Sequence, residues 1–110
     1  MTKSVIGSDP LLLMRQITAG TAPIIIDVRS KREFDMGHVP GARHVPFWRM
    51  AAHAEELSVF KNNSIVLYCG HGPRAHIAGA TLRRRGFTGV LYLTGHMKAW
   101  KKMDLPLEAE

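Results

Sequence analysis

The chain has 110 residues, of which 45% are hydrophobic and 22% charged, the ordinary balance of a globular protein. This length allows a single domain, and no stretch approaches the roughly 20 apolar residues that a membrane-spanning helix needs. The net charge of +6 indicates either solvated helix faces or a field that concentrates anionic substrates and partners. We expect one cytoplasmic domain over residues 1–110 without membrane association. Nucleic acid binding is not expected, because no basic stripe is interleaved with aromatic residues.

Predicted helices and strands alternate along the whole chain. Ser8 or Asp9 can cap a first helix, in which Pro10 suits the first turn. Ser30 and Glu33 have the spacing of a capping box, which predicts the start of a short helix. The predicted helices span residues 10–19, 30–37, 47–57, 75–85 and 97–102. The predicted strands span residues 23–28, 43–45, 64–68 and 90–93.

This alternation predicts an α/β fold in which helices cover a mostly parallel sheet. In such sheets, ligands bind beyond the carboxyl ends of the strands. Cys69 follows directly after the apolar strand 64–68 and stands shortly before the helix 75–85. The sequence therefore places a candidate active site at this strand-to-helix loop.

Cys69 is the only cysteine, so the chain cannot form an internal disulfide. A lone cysteine can equally be a small buried hydrophobic residue, but its surroundings here favour chemistry. Unpaired N–H groups at a helix N-terminus stabilise a thiolate or persulfide, and glycines let several amides converge on one anion. Pro73 contributes no N–H. We expect Cys69 to be catalytic and the substrate-binding cradle to consist of Gly70, His71, Gly72, Arg74 and Ala75.

Three segments together resemble the rhodanese-like sulfurtransferase family. Residues 27–42 resemble its N-terminal signature, residues 69–74 its six-residue active-site loop, and residues 93–100 with Leu105-Pro106 its closing signature. The resemblance implies a three-layer α/β/α fold with a five-stranded, mostly parallel sheet. It also implies transfer of sulfane sulfur through a persulfide on Cys69, from a small anionic donor such as thiosulfate to a thiophilic acceptor (cyanide, a thiol or a protein thiol). No cofactor and no metal are expected.

The sequence departs from the family pattern at two places. His96 stands where the closing signature usually has a second glycine, and we expect this change to alter local packing more than chemistry. Gly70 follows the cysteine where thiosulfate-using members often have arginine. The pair His71-Gly72, in contrast, is similar to that of small single-domain thiosulfate sulfurtransferases. The identity of the donor therefore stays open.

Other functions fit parts of the same pattern. A phosphatase or arsenate reductase would use a similar loop, but with five residues between cysteine and arginine, whereas Cys69 and Arg74 have four between them. A non-catalytic interaction module and a persulfide relay fed by a protein partner are further alternatives. A metal site of Cys69, His71 and His76 fits poorly with the ligand spacing of tetrahedral zinc.

Several residues outside the loop have structural interpretations. Asp27 and Arg29 are expected to organise the neighbouring loops, with Arg29 and Glu33 as an ion pair at a helix start. His38 is expected to stabilise a turn by hydrogen bonding. Trp48 and Trp100 are expected to pack in the core or at its rim.

Overall fold

The computed structural model describes residues 7–110, which form a sheet of parallel strands between two layers of helices. The strands are β1 (Gly7–Ser8), β2 (Ile24–Asp27), β3 (Arg43–His44), β4 (Ile65–Tyr68) and β5 (Val90–Leu93). The helices are α1 (Pro10–Ala19), α2 (Lys31–Met36), α3 (Met50–His53), α4 (Pro73–Arg84) and α5 (His96–Lys102). Their alternation confirms the predicted α/β fold.

The strand order is β1-β5-β4-β2-β3, so β4 occupies the centre of the sheet. All pairings are parallel, with Asp27 opposite Tyr68 at the carboxyl ends of β2 and β4. The two outer strands contain only two residues each, and β1 is absent from the sequence-based prediction. Its short polar sequence, Gly-Ser, has no strand pattern, and it is a strand only because it pairs with β5.

The side chains of the central strands alternate between two cores, as the two-residue period of a β-strand requires. In β4, Ile65 and Leu67 pack with α3 and α4, whereas Val66 and Tyr68 pack with α1 and α5. All four side chains are fully buried. The sheet is therefore covered on both faces, which explains why its central strands are continuous apolar runs.

Side-chain caps determine where the first two helices begin. The Asp9 carboxylate accepts the Leu12 N–H at 3.0 Å and caps α1. The predicted capping box is present at α2, because Ser30 Oγ accepts the Glu33 N–H and the Glu33 carboxylate accepts the Ser30 N–H. None of the helices within residues 7–110 is long and apolar enough to cross a membrane.

The predicted helix over residues 47–57 is confirmed only in part, because the segment is helical but interrupted. The chain forms two 3-10 helices, Phe47–Arg49 and Glu56–Phe60, on either side of the four-residue α3. Neither the first 3-10 helix nor α3 has a side-chain cap, and isolated short helices are marginal in water. Met50, Ala54 and Leu57 nevertheless have helical spacing, and their buried side chains pack in the core. Tertiary packing, more than local helix propensity, therefore determines the conformation of this segment.

Candidate functional site

Cys69 lies at the carboxyl end of the central strand, where the sequence places it. Its side chain is fully buried, and Sγ accepts the N–H of Gly72 at 3.0 Å. Gly72 precedes α4 and has a φ of +134°, a conformation that favours glycine. The loop therefore curls tightly enough to direct at least one backbone amide toward the sulfur.

The backbone of Cys69 is fixed by the beginning of α5. Its carbonyl accepts the Met97 N–H at 3.0 Å, and the carbonyl of Gly70 accepts the Lys98 N–H at 3.0 Å. On the other side, the Cys69 N–H donates to Nδ1 of His96 at 3.2 Å. The unpaired amides of one short helix thus hold the first two residues of the loop.

His96 is a site residue that the sequence interpretation missed. It was expected to alter local packing more than chemistry, yet its ring is hydrogen-bonded to the Cys69 N–H, and the residue is only 6% exposed. Burial lowers the pKa of His96, and the nearby His76 and His71 lower it further. Its φ of +55° costs a non-glycine residue about 1–2 kcal/mol. The sequence feature that could have revealed this role is the departure from the family signature, in which glycine usually stands at the position of His96.

Arg74 does not stand free at the loop. Its guanidinium forms two hydrogen bonds with the Glu33 carboxylate of α2, at 2.7 and 3.2 Å. The bond from Arg74 is the main reason that the pKa of Glu33 falls from 4.5 to about 2. Glu33, followed by smaller contributions from Cys69, raises the pKa of Arg74. Arg74 therefore connects α2 to the loop, and its charge is shared between Glu33 and the surroundings of the sulfur.

The predicted ion pair between Arg29 and Glu33 is wrong. Arg29 instead forms a buried bidentate pair with Asp27, with Nη2 2.8 Å from the carboxylate. The same Nη2 also donates to the main-chain carbonyls of Glu33 and Gly37. The Glu33 carboxylate is thereby left for Arg74, and the Asp27–Arg29 pair organises the loop after β2, as expected.

The remaining predicted cradle residues lie around Cys69 in different environments. Gly70 lies against Arg74, because a Cβ added at Gly70 would be 3.3 Å from Nη2. His71 is exposed, whereas Ala75 is fully buried and packs in the same core as Cys69. The structure thus brings the loop residues together, but Ala75 presents its side chain to the core.

A cavity of about 390 Å³ lies beside the loop. Its lining residues come from the segment after β2, α2, the Cys69 loop and α5: Arg29, Glu33, Gly70, His71, Met97, Lys98 and Lys101. Two larger cavities, of about 580 and 650 Å³, contain no loop residue and so lie away from the thiol. Within residues 7–110, no group of three His, Cys, Asp or Glu side chains is arranged to hold a metal ion.

Two of the three other residues singled out from the sequence pack as expected, and one does not. His38 stacks on Phe34 at 3.7 Å, and its Nδ1 lies 2.8 Å from the Phe34 carbonyl, which fits the expected turn-stabilising role. Trp100 is fully buried, and its indole N–H donates to the Pro106 carbonyl. Trp48 is 61% exposed, so its expected place in or at the core is not observed.

A parallel α/β/α sandwich with a cysteine at the carboxyl end of its central strand defines the class of this protein. The family model of the rhodanese-like domain matches residues 10–103, and the chain belongs to that family. The predicted family membership is thereby confirmed.

Individual proteins agree with this assignment. The chain is 34% identical to thiosulfate sulfurtransferase 16, chloroplastic, of Arabidopsis thaliana, over 76% of this chain and 78% of the relative. It is 31% identical to a sulfurtransferase of Allochromatium vinosum, over 78% of each chain. A crystal structure of the Alr3790 protein of Anabaena sp. is 30% identical with a TM-score of 0.82, covering 93% of this chain and 91% of that one. The chain spans only 40% and 59% of two Bacillus subtilis relatives.

Proposed function

We propose that this protein is a sulfurtransferase that carries sulfane sulfur as a persulfide on Cys69. The observation that carries the proposal is the Gly72 N–H donated to Sγ at 3.0 Å, at the end of the central strand and the start of α4. This geometry supplies a backbone donor, and the amides of the helix start add favourable dipoles for an anionic sulfur.

The reaction has two balanced steps. The Cys69 thiolate attacks the outer sulfur of thiosulfate, forming a new S–S bond while the old one breaks and sulfite leaves with its electron pair. A thiophilic acceptor then attacks the terminal sulfur of the persulfide. With cyanide, a C–S bond forms, thiocyanate is released, and the electron pair of the S–S bond returns to Cys69 as thiolate.

The charge around the cavity supports an anionic donor. Lys98 and Lys101 line it together with Arg29 and Glu33. Arg29 is already paired with Asp27 and Glu33 with Arg74, so the two lysines supply the positive charge. The Arabidopsis relative is a thiosulfate sulfurtransferase, so thiosulfate is the donor proposed here. Because Cys69 is fully buried, the loop has to move for the donor to reach Sγ.

The single cysteine makes the test direct. Incubation with thiosulfate should add one sulfur atom to the protein in intact-mass spectra, and cyanide should remove it as thiocyanate. Cys69→Ser, which keeps the size of the side chain, should fold normally and gain no mass. Sulfur transfer that survives in Cys69→Ser would overturn the proposal.

A donor panel separates the thiosulfate enzyme from the persulfide relay. Mercaptopyruvate, polysulfide and a protein persulfide should each be compared with thiosulfate at equal concentration. We expect thiosulfate to load Cys69 with turnover. Loading by a protein persulfide alone would instead identify a relay, and turnover of an aryl phosphate would identify a phosphatase.

A further inference from the structure

His96 is hydrogen-bonded to one end of the segment that presents the sulfur and lies beside the other. Its Nδ1 accepts the Cys69 N–H at 3.2 Å. A Cβ added at Gly72 would lie 3.5 Å from its Nε2. Gly72 is the residue whose N–H reaches Sγ. One imidazole ring therefore binds the peptide of Cys69 and lies next to Gly72, the residue that donates to the sulfur.

The hydrogen bond fixes the state of the ring. A backbone N–H is only a donor, so Nδ1 must be unprotonated to accept it. The neutral ring must then carry its proton on Nε2. Protonation of Nδ1 would place two donors against each other and break the contact. The neighbouring Met97 N–H, which binds the Cys69 carbonyl, does not depend on this proton.

The backbone of His96 has a conformation that suits glycine better. Residues 95 and 96 both have positive φ, at +76° and +55°. Gly95 has no room for a side chain, because a Cβ there would overlap Ala99. At His96 the same left-handed region directs a side chain at the Cys69 amide. Strained non-glycine conformations of this kind occur at functional sites.

We propose that His96 is a positioning residue whose neutral ring holds the Cys69 peptide so that the Gly72 amide points at the sulfur. This role rests on the proposed sulfur transfer. It predicts that transfer depends on the neutral form of His96, in addition to its dependence on the thiolate. The inference concerns the loop of Cys69 and assigns His96 no contact with the donor.

Other titratable groups lie near the His96 ring and could contribute to the same pH dependence. His71 lies in the loop and His76 on α4, with the His76 ring 6.3 Å from that of His96. Tyr92 of β5 contacts His76, and Lys98 is the cation that follows on the same helix. His76 is exposed, and its one hydrogen bond to the described loop residues runs from its backbone N–H to the Gly72 carbonyl at 3.1 Å. A side-chain substitution leaves that bond in place, so His76 provides the matched control.

The first experiment measures the hydrogen bond without activity. In ¹⁵N-labelled protein near pH 7.5, we expect a scalar coupling across the hydrogen bond between the Cys69 amide nitrogen and His96 Nδ1. The coupling should vanish as the pH falls, and His76→Asn should leave it intact. A His96 ring with its proton on Nδ1 at pH 7.5 would overturn the inference, and would leave persulfide formation on Cys69 unaffected.

The second experiment measures sulfur transfer in variants. Asn tolerates positive φ and can offer Oδ1 near the place of Nδ1, so His96→Asn should keep kcat within about threefold of wild type at pH 7.5. His96→Gly, without an acceptor, should lower kcat about tenfold with little change in KM for thiosulfate. As the pH falls below the depressed pKa of His96, kcat of His96→Asn should come to exceed that of the wild type.

The two experiments separate the two proposals. Parallel pH profiles of wild type and His96→Asn would overturn the positioning role while sulfur transfer itself stands. If the coupling is present but thiosulfate never loads Cys69, the proposed function fails, and the role of His96 in transfer fails with it. His76→Asn should keep the acid decline of the wild type, displaced to higher pH because His76 lowers the pKa of His96. A profile that loses this decline, like that of His96→Asn, would refute the assignment to His96.

Discussion

Replacing Glu33 by glutamine tests the connection between α2 and the loop. The Glu33 carboxylate has two functions in the structure, since it binds the Arg74 guanidinium at 2.7 and 3.2 Å and completes the capping box with Ser30. Glutamine retains an acceptor suitable for a capping box but has no charge. Glu33→Gln therefore removes the ion pair selectively, whereas Glu33→Ala removes both contacts.

The structure sets the size of the effect. Arg74, with smaller contributions from Ser30, lowers the pKa of Glu33 from 4.5 to about 2, and this whole shift corresponds at face value to about 3 kcal/mol. The Glu33 side chain is 39% exposed, and solvent screening reduces such pairs to about 1 kcal/mol. We expect Glu33→Gln to lower the free energy of unfolding by about 1 kcal/mol at neutral pH, and Glu33→Ala by about 1 kcal/mol more through the lost cap.

Urea unfolding between pH 2.5 and 7 at low salt is the assay. Because the folded-state pKa of Glu33 is depressed, its stabilisation is present above the unfolded value of 4.5 and is lost as pH falls toward 2. Wild type should therefore lose its advantage over Glu33→Gln in that range. Asp35→Asn, which breaks the exposed Lys31–Asp35 pair of the same helix, should cost less than about 0.5 kcal/mol. Equal stability of wild type and Glu33→Gln at every pH would refute the reasoning.

Two further substitutions test the cavity and the core. Lys101 lines the cavity beside the loop and its neighbour Lys102 does not, so Lys101→Met should raise KM for thiosulfate several-fold at low salt, and Lys102→Met should not. Steady-state kinetics at two ionic strengths check this, since screening should shrink the difference. The buried Tyr92 hydroxyl has no hydrogen-bond partner within residues 7–110, so Tyr92→Phe should stabilise the fold by about 1 kcal/mol. A clearly lower midpoint in thermal unfolding would contradict that account.

Short-range patterns in the sequence were sufficient for most of the fold. The capping box of Ser30 and Glu33 and the apolar strand before Cys69 depend on residues a few positions apart, whose spacing reflects helix and strand periods. The family motifs then located the loop, and the structure places Cys69 at the end of the central strand. Segment 47–57 has helical apolar spacing and is largely helical, but core contacts hold it in short 3-10 and α-helical turns in place of one continuous helix.

What the sequence by itself determined is the class of fold, the position of the cysteine loop and the residue types available there. Only the tertiary structure decided which of these residues contact each other. Arg74 binds Glu33, which is 41 positions away in the sequence, and His96 binds the Cys69 amide, which is 27 positions away. Such pairs carry no local signal, because their distance depends on how α2, α4 and α5 pack at the ends of β2 and β4. The same packing buries Cys69 completely, which a strand-to-helix pattern cannot show.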